Sequence, residues 1–120
     1  DKRPMGIALD FDQALDIWRG AVLGSVRADS PDLSQRQMAV ILLVYMGNPP
    51  HTVRGLAAEL RVSKPAITRA LDRLEELELI KRLPDERDKR SILVGRTIAG
   101  SVYLREMADR ITMAAAVTER

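Results

Sequence analysis

The chain has no cysteine, which excludes disulfides, thiolate metal sites and thiol-based redox sensing. It has a single histidine, His51, so a zinc site built from clustered histidines and carboxylates has too few ligands. Phosphate-binding glycine loops are absent, as is any nucleophile with an evident acid–base partner. Neither an enzyme nor a cofactor is implied. The longest apolar run, "MAVILLVYM" (Met38 to Met46), is about half a membrane span. With no signal-peptide pattern visible, the expected compartment is the cytoplasm. Aromatic residues make up only 3% of the chain, so its core must come from Leu, Ile, Val, Ala and Met.

At 120 residues with 46% apolar content, the chain can bury one core and is expected to form a single domain over 1–120. Its formal net charge is only +2, although the sequence pI is about 9.3. Any acidic partner must therefore be recognised by where the charges sit, not by their sum.

Helical spacing runs from about Leu9 to Arg27, through Phe11, Ala14, Leu15, Trp18 and Val22. Gly20 and Gly24 lie within it, either weakening the helix or letting another backbone approach. Ser34 and Gln37 form a capping-box pattern ahead of a helix that is apolar almost all round and is expected at the buried centre. Gly47 and "NPP" stop that helix. A short helix from about Val53 to Leu60, with Thr52 as N-cap, is followed by the turn "RVS" and a second helix capped by Ser63. Pro65 is tolerated in its first turn. Ile67, Ala70, Leu71, Leu74 and Leu77 give that helix one core face. "LIKRLP" and "SILVGRT" are β-prone runs flanking the charged tip "DERDKR". Thr97 then caps a last helix, with Ile98, Val102, Met107 and Ile111 assigned to one side.

Two helices joined by a tight turn and followed directly by a hairpin describe a winged helix-turn-helix. The fold class expected is thus mainly α with a small β-hairpin wing. Opposite the core face, the second helix carries Pro65, Thr68, Arg69 and Asp72, with Ser63, Lys64 and Arg73 beside them. Taken alone, such a helix reads as solvated charge paired with Asp72, Glu75 and Glu76. Two features favour a major groove instead: its acids cluster in the C-terminal half, and a second basic element follows. Arginine pairs bidentately with guanine, while Ser, Thr and Lys hold phosphates. The hairpin adds Lys81, Arg82, Arg87, Lys89 and Arg90 against Asp85, Glu86 and Asp88, and one arginine at its tip suffices for a narrow minor groove.

The segment "TVRGLAAELRVSKPAITRALDRLEELELIKRLPDERDKRSILVGRTIAG", Thr52 to Gly100, resembles the MarR family of bacterial winged-helix transcriptional regulators. The resemblance rests on the helix-turn-helix pattern, a wing of form D-x-x-D-x-R and the following T-x-x-G. It implies a recognition helix bearing Ser63, Lys64, Pro65, Thr68, Arg69 and Arg73. It also implies a wing in which Arg90 enters the minor groove with Asp88 orienting it; Arg87 and Lys89 lie beside them. It further implies a homodimer on a palindromic operator, acting as a repressor. Helices at about 8–30 and 98–120 would form the dimerisation region, and about 34–97 the DNA-binding lobe. A small aromatic or other organic effector would lie between the two. Trp18, Tyr45 and Tyr103 could line its pocket, although a core role for each is the plainer expectation. The competing function is a winged helix used only for protein contact, which predicts an acidic or apolar second helix.

Overall fold

The computed structural model describes residues 6–118. In chain order the elements are α1 (Phe11–Arg27), α2 (Gln35–Met46), β1 (His51–Thr52), α3 (Val53–Leu60), α4 (Lys64–Glu76), β2 (Ile80–Pro84), β3 (Ile92–Arg96) and α5 (Ile98–Thr118). The described residues form two compact units, 31–104 and 6–30 with 105–118.

In the larger unit the helix starts follow local side-chain chemistry. Ser34 accepts the Gln37 N–H, and the Gln37 side chain accepts the Ser34 N–H in return. Thr52 accepts the Gly55 N–H at 3.0 Å, and Ser63 accepts the Ala66 N–H at 3.2 Å. Between the caps, Arg61 takes a left-handed conformation (φ 58°) that ends α3 and turns the chain into α4. Val40, Ile41 and Val44 of α2 are fully buried with Ile67, Leu71 and Leu74 of α4, and Leu56 and Ala57 of α3 complete the layer. As expected, α2 supplies the buried centre, although Leu42 on its outer side is exposed.

The hairpin pairs β2 with β3 antiparallel, Arg82 opposite Val94 and Leu83 opposite Leu93. Its inner residues Ile80 and Val94 close the core. A third strand was not expected. His51 pairs with Val94 and Thr52 with Leu93, giving the order β1-β3-β2. His51 is therefore a strand residue, and its Nε2 is buried without a hydrogen-bond partner among the described residues.

Where α2 ends, three chain segments meet at Tyr45. Its hydroxyl donates to the Leu79 carbonyl at 2.7 Å and accepts the Thr97 N–H at 2.9 Å. Thr97 Oγ1 donates to the Glu78 carbonyl (2.7 Å) and accepts the Gly100 N–H (2.9 Å), which caps α5. Gly100 is buried here, and a Cβ on it would collide with the Tyr45 hydroxyl and the Leu79 carbonyl oxygen. The T-x-x-G pattern thus encodes a cap and a close approach.

In the smaller unit, α1 and the later part of α5 lie antiparallel. Asp10 and Gln13 form a capping box that starts α1 at Phe11, two residues later than the apolar spacing suggested. Gly20 faces Ala114 so closely that a Cβ would lie 2.7 Å from the Ala114 Cβ, and Gly24 faces the Arg110 side chain. Their spacing therefore serves close approach. Phe11, Leu15, Trp18, Val22 and Val26 are exposed, and Ala21 is the buried residue of α1. A core role for Trp18 is not what the single chain shows, since the residue is 61% exposed. Nor do Ile98, Val102, Met107 and Ile111 share one side. Ile98 and Met107 are nine residues apart, half a turn out of phase on a helix of 100° per residue. Met107 accepts a hydrogen bond from Ser25, while Ile98 and Val102 are exposed.

The Tyr45 junction makes a prediction about coupling. Tyr45→Phe leaves the Thr97 N–H and Leu79 carbonyl short of a partner and should cost about 1–3 kcal/mol. Gly100→Ala should cost about as much through overpacking. Because both changes act on the same few atoms, the double variant should lose less than the sum in urea unfolding. Strict additivity would show that the two sites do not share this contact.

Candidate nucleic-acid interface

The outward face of α4 is set by burial. Ala66, Ile67, Ala70, Leu71 and Leu74 point into the core, so Lys64, Pro65, Thr68, Arg69 and Asp72 are left exposed. Ala66 adds a core position that the sequence analysis had not assigned. Ser63 is exposed as well, but its hydroxyl accepts the Ala66 N–H as the helix cap.

The acids of α4 do not stay free. Arg82 of β2 donates to Glu75 Oε1 from Nη2 (2.7 Å) and Nε (3.2 Å), and its Nη2 lies 2.8 Å from Asp72 Oδ1. The Arg82 main-chain N–H also donates to Glu75 Oε2 at 3.3 Å. Arg73 donates to Glu76 at 2.7 Å. Arg82, counted by sequence among the free positives of the hairpin, is therefore committed to the recognition helix. The hydrogen bond from Arg82 holds the Glu75 carboxyl below the usual carboxylate range, against an opposing desolvation effect. The same contacts push Arg82 further towards its charged form. Among the described residues Arg69 and Lys64 have no ion pair, and the positive charge of the helix is left at its N-terminal half.

The hairpin tip is folded by its own carboxylates. Asp85 Oδ1 accepts the Arg87 N–H at 2.9 Å, and Asp88 Oδ1 accepts the Arg90 N–H at 3.1 Å. The Ser91 N–H donates to the Asp88 carbonyl and the Asp85 N–H to the Ser91 carbonyl, closing the turn. Asp88 also receives Arg90 Nε at 3.5 Å, and the Arg90 side chain is 94% exposed. Arg87 and Lys89 are exposed on the same tip.

One cleft brings Lys64 and Thr68 of α4 together with Asp88, Arg90 and Ser91 of the wing. Arg54 of α3 and Thr52 line it too. Arg54 was not among the sequence-predicted site residues, because its neighbours in space lie beyond any helical repeat of α3. The aromatic residues offered for a ligand pocket behave differently. Tyr45 is tied into its junction, Tyr103 is buried, and Trp18 lines a cavity of α1 with Leu15, Val22 and Thr118 that includes neither tyrosine.

A helix-turn-helix whose second helix is clamped to a β-hairpin defines the winged-helix class. A family model described as the MarR family matches residues 27–91, more than half of the chain. The chain belongs to the MarR family of transcriptional regulators. Among solved structures, it resembles transcriptional regulator Tm0710 from Thermotoga maritima (TM-score 0.72, 19% identity, 90% of this chain and 74% of that one). YusO from Bacillus subtilis gives a TM-score of 0.70 at 24% identity, over 87% of this chain and 72% of that one. A mutant of MepR from S. aureus bound to an oligodeoxyribonucleotide gives 0.73 at 19% identity, over 89% and 77%. These likenesses establish the fold.

The Arg82 clamp should respond to acid. A carboxyl whose pKa is lowered on folding contributes stability above its unfolded pKa and loses it as pH falls through the folded value. As pH falls through the lowered Glu75 value, the Arg82 amide should lose protection relative to its intrinsic exchange rate. Glu75→Gln should remove that pH dependence. An Arg82 amide equally protected at both pH values would contradict the assignment.

Proposed function

We propose that this chain is a sequence-specific, double-stranded DNA-binding transcriptional regulator that acts as a homodimer on a palindromic operator, as a repressor in the cytoplasm, and not as an enzyme. The observation that carries this function is the cleft uniting Lys64, Thr68 and Arg90, beside an exposed Arg69 that has no ion pair among the described residues. In this assignment Arg69 reads a base edge in the major groove, and Ser63, Lys64, Pro65, Thr68 and Arg73 face the same groove or its phosphates. Arg90, held by Asp88, enters the adjacent minor groove, with Arg87 and Lys89 near the backbone. The lobe of about 34–97 binds DNA, and the terminal helices join two copies. A small organic effector relieves repression. The alternative, protein contact alone, is disfavoured by the basic outward face of α4 and by an arginine held extended at the wing tip.

Selection of bound duplexes from a random pool tests the function directly. A recovered palindrome with half-sites about one DNA turn apart is expected. On such an operator Arg69→Ala should cost about 1–3 kcal/mol and reduce discrimination against random DNA. Lys64→Ala should weaken both duplexes by about the same factor, as loss of a phosphate contact does. No enriched sequence, or two indistinguishable variants, would count against these roles.

Dimerisation is supported by the exposed apolar residues of α1, with Phe11 77% and Trp18 61% accessible in the single chain. Burial of such surface is worth roughly 25 cal/mol per Å². Phe11→Asp combined with Trp18→Asp replaces side chains that the single chain does not bury. In sedimentation the intact chain should be a dimer at micromolar concentration, and the double variant a folded monomer with much weaker operator binding. A monomeric intact chain with full operator affinity would overturn the dimer.

A further inference from the structure

We propose that Arg54, at the start of α3, is a further DNA ligand: with Lys64 it clamps one backbone phosphate at the edge of the groove that Arg90 enters. This rests on the DNA-binding function above.

The cleft is lined by Arg54, Lys64 and Arg90, with Asp88 as its carboxylate. Asp88 Oδ1 already accepts the main-chain N–H and Nε of Arg90, so it is engaged on the wing side. Among the described residues Arg54 and Lys64 have no ion pair. Cations gathered in one concavity repel each other and raise the local potential, which an anion relieves. The polar groups beside them narrow the chemistry. Thr52 Oγ1 is occupied as the cap of α3, whereas no hydrogen bond of the Thr68 side chain is seen among the described residues. What remains is a guanidinium fork, an ammonium and a hydroxyl lining one cleft. That set suits a tetrahedral phosphodiester, whose oxygens accept from all three.

Geometry assigns Arg54 to the backbone and not to a base edge. It projects from α3, whereas the helix presenting its outward face is α4. It shares its cleft with the wing arginine, so a phosphate held there fixes where the clamped unit of recognition helix and wing sits along the strand. Arg54 would therefore set the register of Arg90 without reading sequence.

The test is a salt titration of operator and random duplexes with the full chain. Arg54→Ala should weaken both by the same factor, about 3–10-fold, and make the log–log salt dependence shallower by about one. Arg54→Lys should recover most of the loss, since a point charge suffices for phosphate. Arg105→Ala, an exposed arginine outside the cleft, should leave the salt slope unchanged. Thermal melting of each variant separates misfolding from lost contact. Unchanged affinity and slope in Arg54→Ala, with Lys64→Ala still weakening both duplexes, would overturn the clamp and leave the function standing. A changed ratio of operator to random affinity would also overturn it, as the mark of base contact. Absence of salt-dependent duplex binding by the unmodified chain would remove the function and the clamp together.

Discussion

The orientation of the wing depends on one guanidinium. Arg82 stands on the first wing strand, and its two nitrogens close on Glu75 and Asp72 of the recognition helix. Hairpins are weakly held by turn chemistry alone, and the inner contact here consists of little more than Ile80 and Val94. The charged contact fixes rotation where the apolar one fixes distance. It also removes two carboxylates that would otherwise face a polyanion beside Arg69. A fully buried pair would carry a desolvation cost close to its Coulombic gain; here Arg82 and Glu75 keep part of their surface in water, and desolvation opposes the contact without cancelling it. The same contact therefore shapes both geometry and charge.

A second constraint sets the base on which the wing stands. The Tyr45 hydroxyl joins the end of α2 to Leu79, just before β2, and to Thr97 at the start of α5. Arg96 adds to the same corner, donating to the Val44 carbonyl at 3.0 Å and to the Gly47 carbonyl at 3.2 Å. Those are carbonyls that the end of a helix leaves without intrahelical partners. A basic residue at a helix C-terminus is electrostatically favoured there. Arg96 is thus an arginine of the hairpin that serves the fold, as Arg82 does, and neither contributes free charge to the groove.

Much of the lobe was legible in the sequence because its signals are local. Caps at Ser34, Thr52 and Ser63, the i, i+3, i+4 face of α4 and the carboxylate-rich wing tip are decided within a few residues. What escaped depends on partners distant in the chain. Strand β1 has two residues and no periodicity, and exists because His51 and Thr52 pair with β3. The commitment of Arg82 needs Glu75 across a turn, and the cleft role of Arg54 needs the wing. In α5, a long helix with an apolar residue on nearly every side, spacing alone did not separate Met107, which meets Ser25, from the exposed Ile98 and Val102. Trp18 was misjudged for a related reason: helical spacing identifies an apolar face without saying whether this chain or another covers it.

The division of charge explains how a chain with a net charge of only +2 can present a strongly basic surface. Asp72, Glu75 and Glu76 are neutralised within α4 and β2 by Arg82 and Arg73, while Asp85 and Asp88 accept main-chain N–H groups at the tip. These five acids near the proposed groove are thereby engaged, Glu86 at the tip stays exposed, and Lys64, Arg69 and Arg54 are left without an ion pair among the described residues. Screening over about 8–10 Å at ordinary salt makes this local excess, and not the sum over the chain, what a phosphate experiences on approach. Composition is blind to that excess, because it arises only when the fold places each carboxylate beside its donor.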